Sequence, residues 1–263
     1  MKLVAVLGAG PAGLMAAQAV SLQENTGLAI FSATTEPSKL GGAQFLHKAI
    51  PIVCDEEPDT VVTYRVRGDE ETYKRKVYGL GPVPFTSFAG VTDGQQQPAW
   101  NLIETYERLW EKFAPQITPG PIDARWFETD WLKDFSYIFS SVPLPAICRA
   151  QAGLVPEFHQ FTSQRISVCT DPYGGPIEDN TIIYDGTDTS RFYRRSRIFG
   201  VHGTEWADAP PPGLAGVVLD TKPISTNCNC HPGIVRVGRR GTWTKGVLTH
   251  DAFVTAWKVL TGQ

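Results

Sequence analysis

Residues 2–8, KLVAVLG, form an unbroken apolar run rich in valine. That is the pattern of a parallel strand buried on both faces. A Gly-rich turn follows, and LMAAQAVSLQ (14–23) then reads as helix. Residues 27–32, GLAIFS, supply a second strand, so the chain opens on a βαβ unit. Further on, TVVTYRVRG (60–68) and TYKRKVYG (72–79) alternate apolar and polar positions, predicting a hairpin around Gly68, Asp69 and Glu70. Residues 80–98 and 115–123 are rich in Gly, Pro and Gln or in Pro and Gly, and read as loops. Between them, NLIETYERLWEKF (101–113) places Leu102, Ile103, Tyr106, Leu109, Trp110 and Phe113 on one helical face. Asn101 and Glu104 have capping-box spacing. Trp110 is assigned to core packing rather than to a substrate platform. From Arg165 the pattern turns to strands: RISVC, TIIYDG and RFYRRSRIFGVHG predict an antiparallel sheet.

A chain of 263 residues is long enough to bury a sizeable core. Its hydrophobic fraction of 42% and charged fraction of 19% are those of an ordinary globular protein. A net charge of -3 supplies no general attraction to nucleic acid or anionic membrane. The five cysteines are odd in number and widely spaced, which argues against a disulfide framework and for a reducing, cytoplasmic setting. The apolar N-terminus imitates a signal peptide, but Gly8, Gly10, Pro11 and Gly13 interrupt it. It turns polar at Ser21, Gln23 and Glu24, short of the roughly 20 apolar residues a spanning helix needs.

The interruption is itself a motif. Gly8-Ala9-Gly10-Pro11-Ala12-Gly13 is a G-x-G-x-x-G set between strand and helix. Gly8 allows the tight turn, Gly10 lets the backbone approach a pyrophosphate, and Gly13 lets helix and strand pack closely. Pro11 suits the first helical turn, and the helix N-terminus then faces the phosphates. A dinucleotide is the expected ligand. The acid that usually follows the second strand to bind ribose is replaced by Ser32 and Ala33, and the first carboxylate is Glu36. Either Glu36 reaches back or the ribose is held differently. The motif by itself leaves FAD and NAD(P) both open.

Three further stretches favour the flavin. LGGAQFLHKAIP (40–51) carries a Gly41-Gly42 pair after the second strand, FSYIFSSVPLPAIC (135–148) is an apolar strand ending in a Pro turn, and GIVRVGRRGTWTKGVLTHDAFVTAWKVL (233–260) is a strand, Gly/Arg turn and helix. In order and spacing these resemble flavoproteins of the glutathione-reductase/amine-oxidase type. GAQFLH (42–47) and RVGRRGTW (236–243) are most similar to UDP-galactopyranose mutase, of which the chain looks like a shortened relative. The resemblance implies an α/β fold: a Rossmann-like FAD-binding domain with a parallel sheet, plus a small antiparallel-sheet and helix substrate domain. It divides the chain into a discontinuous FAD domain (1–55, 115–150 and 215–263) and a cap (56–114 and 151–214). It also implies that Gly41, Gly42, Gly238, Arg239, Gly246 and Val247 line the cofactor, with the N–H groups of Gly246 and Val247 facing the reduced flavin. His47 would lie beside the flavin as the catalytic candidate, and His250 would cap the last helix.

Arg191, Arg194, Arg195 and Arg197 crowd one segment. In an extended strand Arg191, Arg195 and Arg197 share a face and Arg194 takes the other. With Tyr193 they suit a diphosphate clamp for a nucleotide-linked substrate, or solvated charge on an exposed strand. Trp206 and Phe199 add stacking groups. Nucleic acid is disfavoured because there is one such cluster on a slightly acidic protein. CNCH (228–231) offers Cys228, Cys230 and His231 to a metal, with Cys148, Cys169 or His202 as a fourth ligand, or a redox pair. A tight turn is the preferred reading, and no metal is assigned. The expected activity is a flavin oxidoreductase acting on a small or nucleotide-linked substrate, with mutase-like flavin catalysis close behind and a non-catalytic nucleotide-binding module as the rival class. A homo-oligomer is left open.

Overall fold

The computed structural model describes residues 1–78, 87–207 and 209–263. The fold is α/β, built on two sheets. The first contains five parallel strands, all short: β1 (Lys2–Leu7), β2 (Thr26–Ser32), β6 (Ile117–Pro119), β7 (Tyr137–Ser140) and β13 (Val235–Arg236). Their order is β13-β7-β1-β2-β6, which puts β1 at the centre. Val4 to Leu7 are fully buried there, which is why that run carries no polar alternation. Val4 and Val6 face helices α1 (Pro11–Ser21), α3 (Leu102–Phe113) and α6 (Asp251–Thr261). Ala5 and Leu7 face the opposite way, onto Leu144 and Ile147 of α4 (Leu144–Ile147) and onto Trp243. The N- and C-terminal helices pack directly on each other.

The second sheet has eight strands. These are β3 (Phe45–Leu46), β4 (Thr60–Gly68), β5 (Gln96–Asn101), β8 (Phe161–Cys169), β9 (Thr181–Gly186), β10 (Arg194–Ile198), β11 (Val201–Trp206) and β12 (Val217–Thr226). They run β12-β8-β11-β10-β9-β4-β5-β3. Every neighbouring pair is antiparallel except β4 with β9. The β10–β11 hairpin turns at Phe199 and Gly200, both with positive φ.

Two predicted elements differ. Residues 70–78 form helix α2 (Glu70–Tyr78), not the second arm of a hairpin. Tyr73 and Val77, both buried, are four residues apart, a spacing that satisfies the period of a strand and of a helix alike. The cap decides: Asp69 accepts from the Thr72 N–H at 2.8 Å, and Lys74 pairs with Glu70 one turn back. The expected loop at 115–123 contains β6, which extends the parallel sheet beside β2. The expected loop at 80–98 falls partly outside the described residues, and its end, from Gln96, is strand β5.

Helix α3 begins as its sequence predicts. The Asn101 side chain accepts from the N–H groups of Ile103 and Glu104, and donates to the Glu104 carboxylate at 2.8 Å. Asn101→Ala is expected to cost about 1 kcal/mol in urea denaturation, and Asn101→Asp less than half of that, because the caps survive.

Candidate functional site

The Gly-rich turn occupies the carboxyl end of β1, where α1 begins. Gly8 has φ +93, and a Cβ there would lie 2.5 Å from Ser141 Oγ at the end of β7. A Cβ on Gly13 would lie 1.8 Å from the Gly8 carbonyl oxygen. Gly10 is the opposite case: no atom lies within 4 Å of its missing side chain, and it caps α1 with backbone alone, followed by Pro11. Two glycines are therefore required by packing and the third leaves free space before a helix N-terminus. Tyr106 of α3 steadies the turn. Its hydroxyl donates to the Ala9 carbonyl at 3.0 Å and accepts from the Ser38 N–H at 3.1 Å.

The chain's closing segment meets this turn. Helix α5 (Gly238–Thr242) starts at Gly238, where a Cβ would come 2.5 Å from Ala12 Cβ. Gly241 is equally close to the Ser140 carbonyl. Gly246 stands open, with Val247 half-buried beside it, and Lys245 donates its N–H to Ile224 of the second sheet. Gly42 approaches Val168, and Ala43 approaches Gly203, so the Gly41-Gly42 turn lies against the second sheet. Ser32 is buried at the end of β2 and accepts the Thr34 N–H, whereas Glu36 is exposed.

His47 stacks on Phe45 with centroids 4.4 Å apart, 5.9 Å from the ring of His250. Burial, and then His250, lower its pKa. His250 precedes α6, but its side chain makes no capping bond; Asp251 accepts the Leu248 N–H instead.

The inner face of the second sheet carries a charged cluster that the sequence reading did not assemble. Glu205 of β11 faces Arg194 of β10 across the ladder and pairs with it. It also pairs with Lys222 of β12 and accepts from the Tyr193 hydroxyl at 2.6 Å. The Tyr73 ring packs edge-on against both Tyr184 and Tyr193. Burial opposes ionisation of Glu205, but Arg194 and Lys222 more than offset it and hold its pKa down at about 2. Burial brings Lys222 down to about 8 against the pull of Glu205. Arg239 stands close enough that, after burial, Arg194 is the main influence lowering its pKa. Two cations, Arg194 and Lys222, thus share one carboxylate, and Nε of both Arg194 and Arg239 is buried without a hydrogen-bond partner.

The expected arginine trio lies elsewhere. Arg191 is exposed, Arg195 donates to the Gly174 and Gly175 carbonyls, and Arg197 is 3.6 Å from Asp179. Arg195 and Arg197 leave β10 on the face opposite Arg194. Trp206 packs on Tyr173, so of the expected substrate residues only Tyr193 joins the cluster. Sequence alternation alone separated Arg194 from its neighbours; nothing local marked Glu205 as the shared partner of Arg194 and Lys222.

No protein-family profile matches the chain, and no curated protein matches it in sequence. Solved structures do. A reduced UDP-galactopyranose mutase is 13% identical, with 100% of this chain and 96% of that one covered and a TM-score of 0.59. A flavoprotein/dehydrogenase from Cytophaga hutchinsonii is 13% identical over 100% and 79%, with a TM-score of 0.52. The tetrameric form of 2-methyl-3-hydroxypyridine-5-carboxylic acid oxygenase is 13% identical over 98% and 86%, with a TM-score of 0.51. The chain therefore shares its fold with these proteins. At these identities the fold is what is shared.

The buried carboxylate generates a pH test. Glu205 has a folded pKa below its unfolded value, so its contribution to stability is complete above about 4.5 and is lost as pH falls towards about 2. Urea midpoints measured across that range should fall more steeply in the wild type than in Glu205→Gln. The variant is expected to be several kcal/mol less stable at neutral pH, because its loss leaves buried cations unpaired.

Proposed function

We propose that the protein is a flavoenzyme that holds FAD along the Gly8–Gly13 turn and carries out redox chemistry on an anionic, small or nucleotide-linked substrate. The observation that carries this reading is the meeting of the first and last segments of the chain. The open space at Gly10 lies before α1, and the Gly238 turn is pressed against Ala12. Phosphates placed at Gly10 would face the positive end of the helix with no side chain in the way. A cofactor extended from there towards Gly41, Gly42, Arg239, Gly246 and Val247 would run between the two sheets. Ser32 in place of an acid, with Glu36 in solvent, leaves the adenosine ribose of FAD or of NAD(P) to be held by other groups.

The chain's own residues fit that role. Arg194, Lys222 and Arg239 present excess positive charge where the sheets meet, which suits a substrate carboxylate or phosphate. Tyr193, held by Glu205, orients a hydroxyl at the same place. His47 and its neighbour His250 form the other wall. When bound, the flavin supplies the electron or hydride transfer that no side chain offers.

A second reading is mutase-like catalysis on a UDP-sugar without net oxidation. It is favoured by the likeness to the reduced mutase over nearly all of that chain. Incubation of the reduced protein with UDP-galactopyranose, followed by analysis for the furanose, separates the two.

All five cysteines are free. Among the described residues no helix is long and apolar enough to cross a membrane.

Gly10→Ala provides the cofactor test. The added methyl meets no protein atom, so thermal stability without cofactor is expected to change little. FAD affinity, read by flavin fluorescence quenching, is expected to fall at least about tenfold, since the methyl occupies the phosphate approach. A wild-type protein that stays colourless through reconstitution with FAD and gel filtration overturns the proposal.

A further inference from the structure

A second cluster lies outside the cofactor crevice, behind the parallel sheet. Cys148 ends α4, His159 lies in the segment before β8, and Cys228 and Cys230 follow β12. Their ligand atoms all lie within 4.8 Å of one another. His159 Nδ1 is 3.3 Å from Cys148 Sγ and 3.3 Å from Cys230 Sγ, and the two sulfurs are 3.8 Å apart.

These separations carry information. Tetrahedral zinc with Zn–S near 2.3 Å and Zn–N near 2.0 Å requires sulfurs about 3.8 Å apart and sulfur–nitrogen edges of about 3.5 Å. A disulfide requires about 2 Å, and the thiols are free. We propose that Cys148, His159, Cys228 and Cys230 form a structural Cys3His site for zinc.

The surroundings hold the four ligands in place. Thr226 Oγ1 donates to the Gln160 carbonyl and accepts the Cys228 N–H, and Asn227 accepts the Gln160 N–H at 2.7 Å. Arg236 donates to the Cys228 carbonyl at 2.9 Å, which places a cation beside a site whose three thiolates and one Zn²⁺ sum to one negative charge. On binding, the three thiol protons pass to solvent. Four protein ligands close the coordination sphere, so the metal is structural and has no place for substrate. It joins the segment after β7 to the segment that leads into β13 and the Gly238 turn, fixing two of the walls that approach α1.

The sequence motif CNCH pointed here with one wrong member. His231 donates to or accepts from no cysteine; its Nε2 bonds the Ile147 carbonyl at 2.7 Å and its ring packs on Phe127. Cys169 lies against the Ala215 carbonyl and is outside the cluster.

The protein produced in zinc-supplemented medium and passed through a weak chelator is assayed by mass spectrometry of metals. One zinc per chain is expected in the wild type, in Cys54→Ser and in Cys169→Ser, and a loss of most of it in Cys230→Ser and His159→Ala. Exchange of the wild type into cobalt should give the ligand-field and sulfur charge-transfer bands of a tetrahedral thiolate site. His159→Cys, which keeps four ligands, should retain the metal and shift those bands, so the test stands even where Cys230→Ser does not fold. A metal-free wild type with reduced thiols and no cobalt spectrum overturns the proposal. So does a Cys148–Cys230 disulfide found by alkylation and peptide mass mapping of protein isolated without reductant.

Discussion

A Cβ on Gly13 would overlap the carbonyl oxygen of Gly8, and this contact between the first turn of α1 and the end of β1 sets the positions of everything around the crevice. The helix can approach the strand so closely only because both surfaces lack side chains. Close approach brings the helix N-terminus to the edge of the parallel sheet, where the strand order leaves β7 on one side and β2 on the other. The Gly238 turn can then settle on Ala12, and Gly241 on Ser140. Tyr106 adds a polar clasp from α3, linking the turn to the segment after β2. The constraint is steric and backbone-borne, so it survives wide changes in the side chains around it.

The second sheet contributes by a different physics. Its inner face buries Glu205 among Arg194, Lys222 and Tyr193, an arrangement whose desolvation cost is high unless every charge is answered. Within the cluster the positive charges outnumber the carboxylate, and two guanidinium nitrogens find no acceptor. An excess of that kind is difficult to justify as a stabilising device, since apolar side chains of similar volume would serve packing at lower cost.

The parts of this molecule that were legible in the sequence are those governed by neighbours along the chain. The βαβ opening, the Asn101 cap and the strands around residues 165, 181 and 194 follow from periodicity and local hydrogen bonding. Where two periods fit the same spacing, as for Tyr73 and Val77, local pattern was ambiguous, and the cap at Asp69 with the packing of α2 on β9 decided for helix. The Arg-rich segment shows a further boundary. Alternation separated Arg194 from Arg195 and Arg197, but only the sheet revealed which face is inward.

Sequence by itself determined the Gly-rich turn between β1 and α1, because glycine spacing, a preceding buried strand and a following helix are all contiguous. It also placed two of the four cysteine-cluster ligands in one tripeptide. Tertiary structure alone decided that Glu205 answers both Arg194 and Lys222, that His159 and not His231 stands with Cys148, Cys228 and Cys230, and that the Gly238 turn packs on Ala12 in the first turn of α1. These partners are distant in the chain, and their contacts exist only once strand order and register have been fixed. No local propensity encodes a pairing that depends on which strands become neighbours.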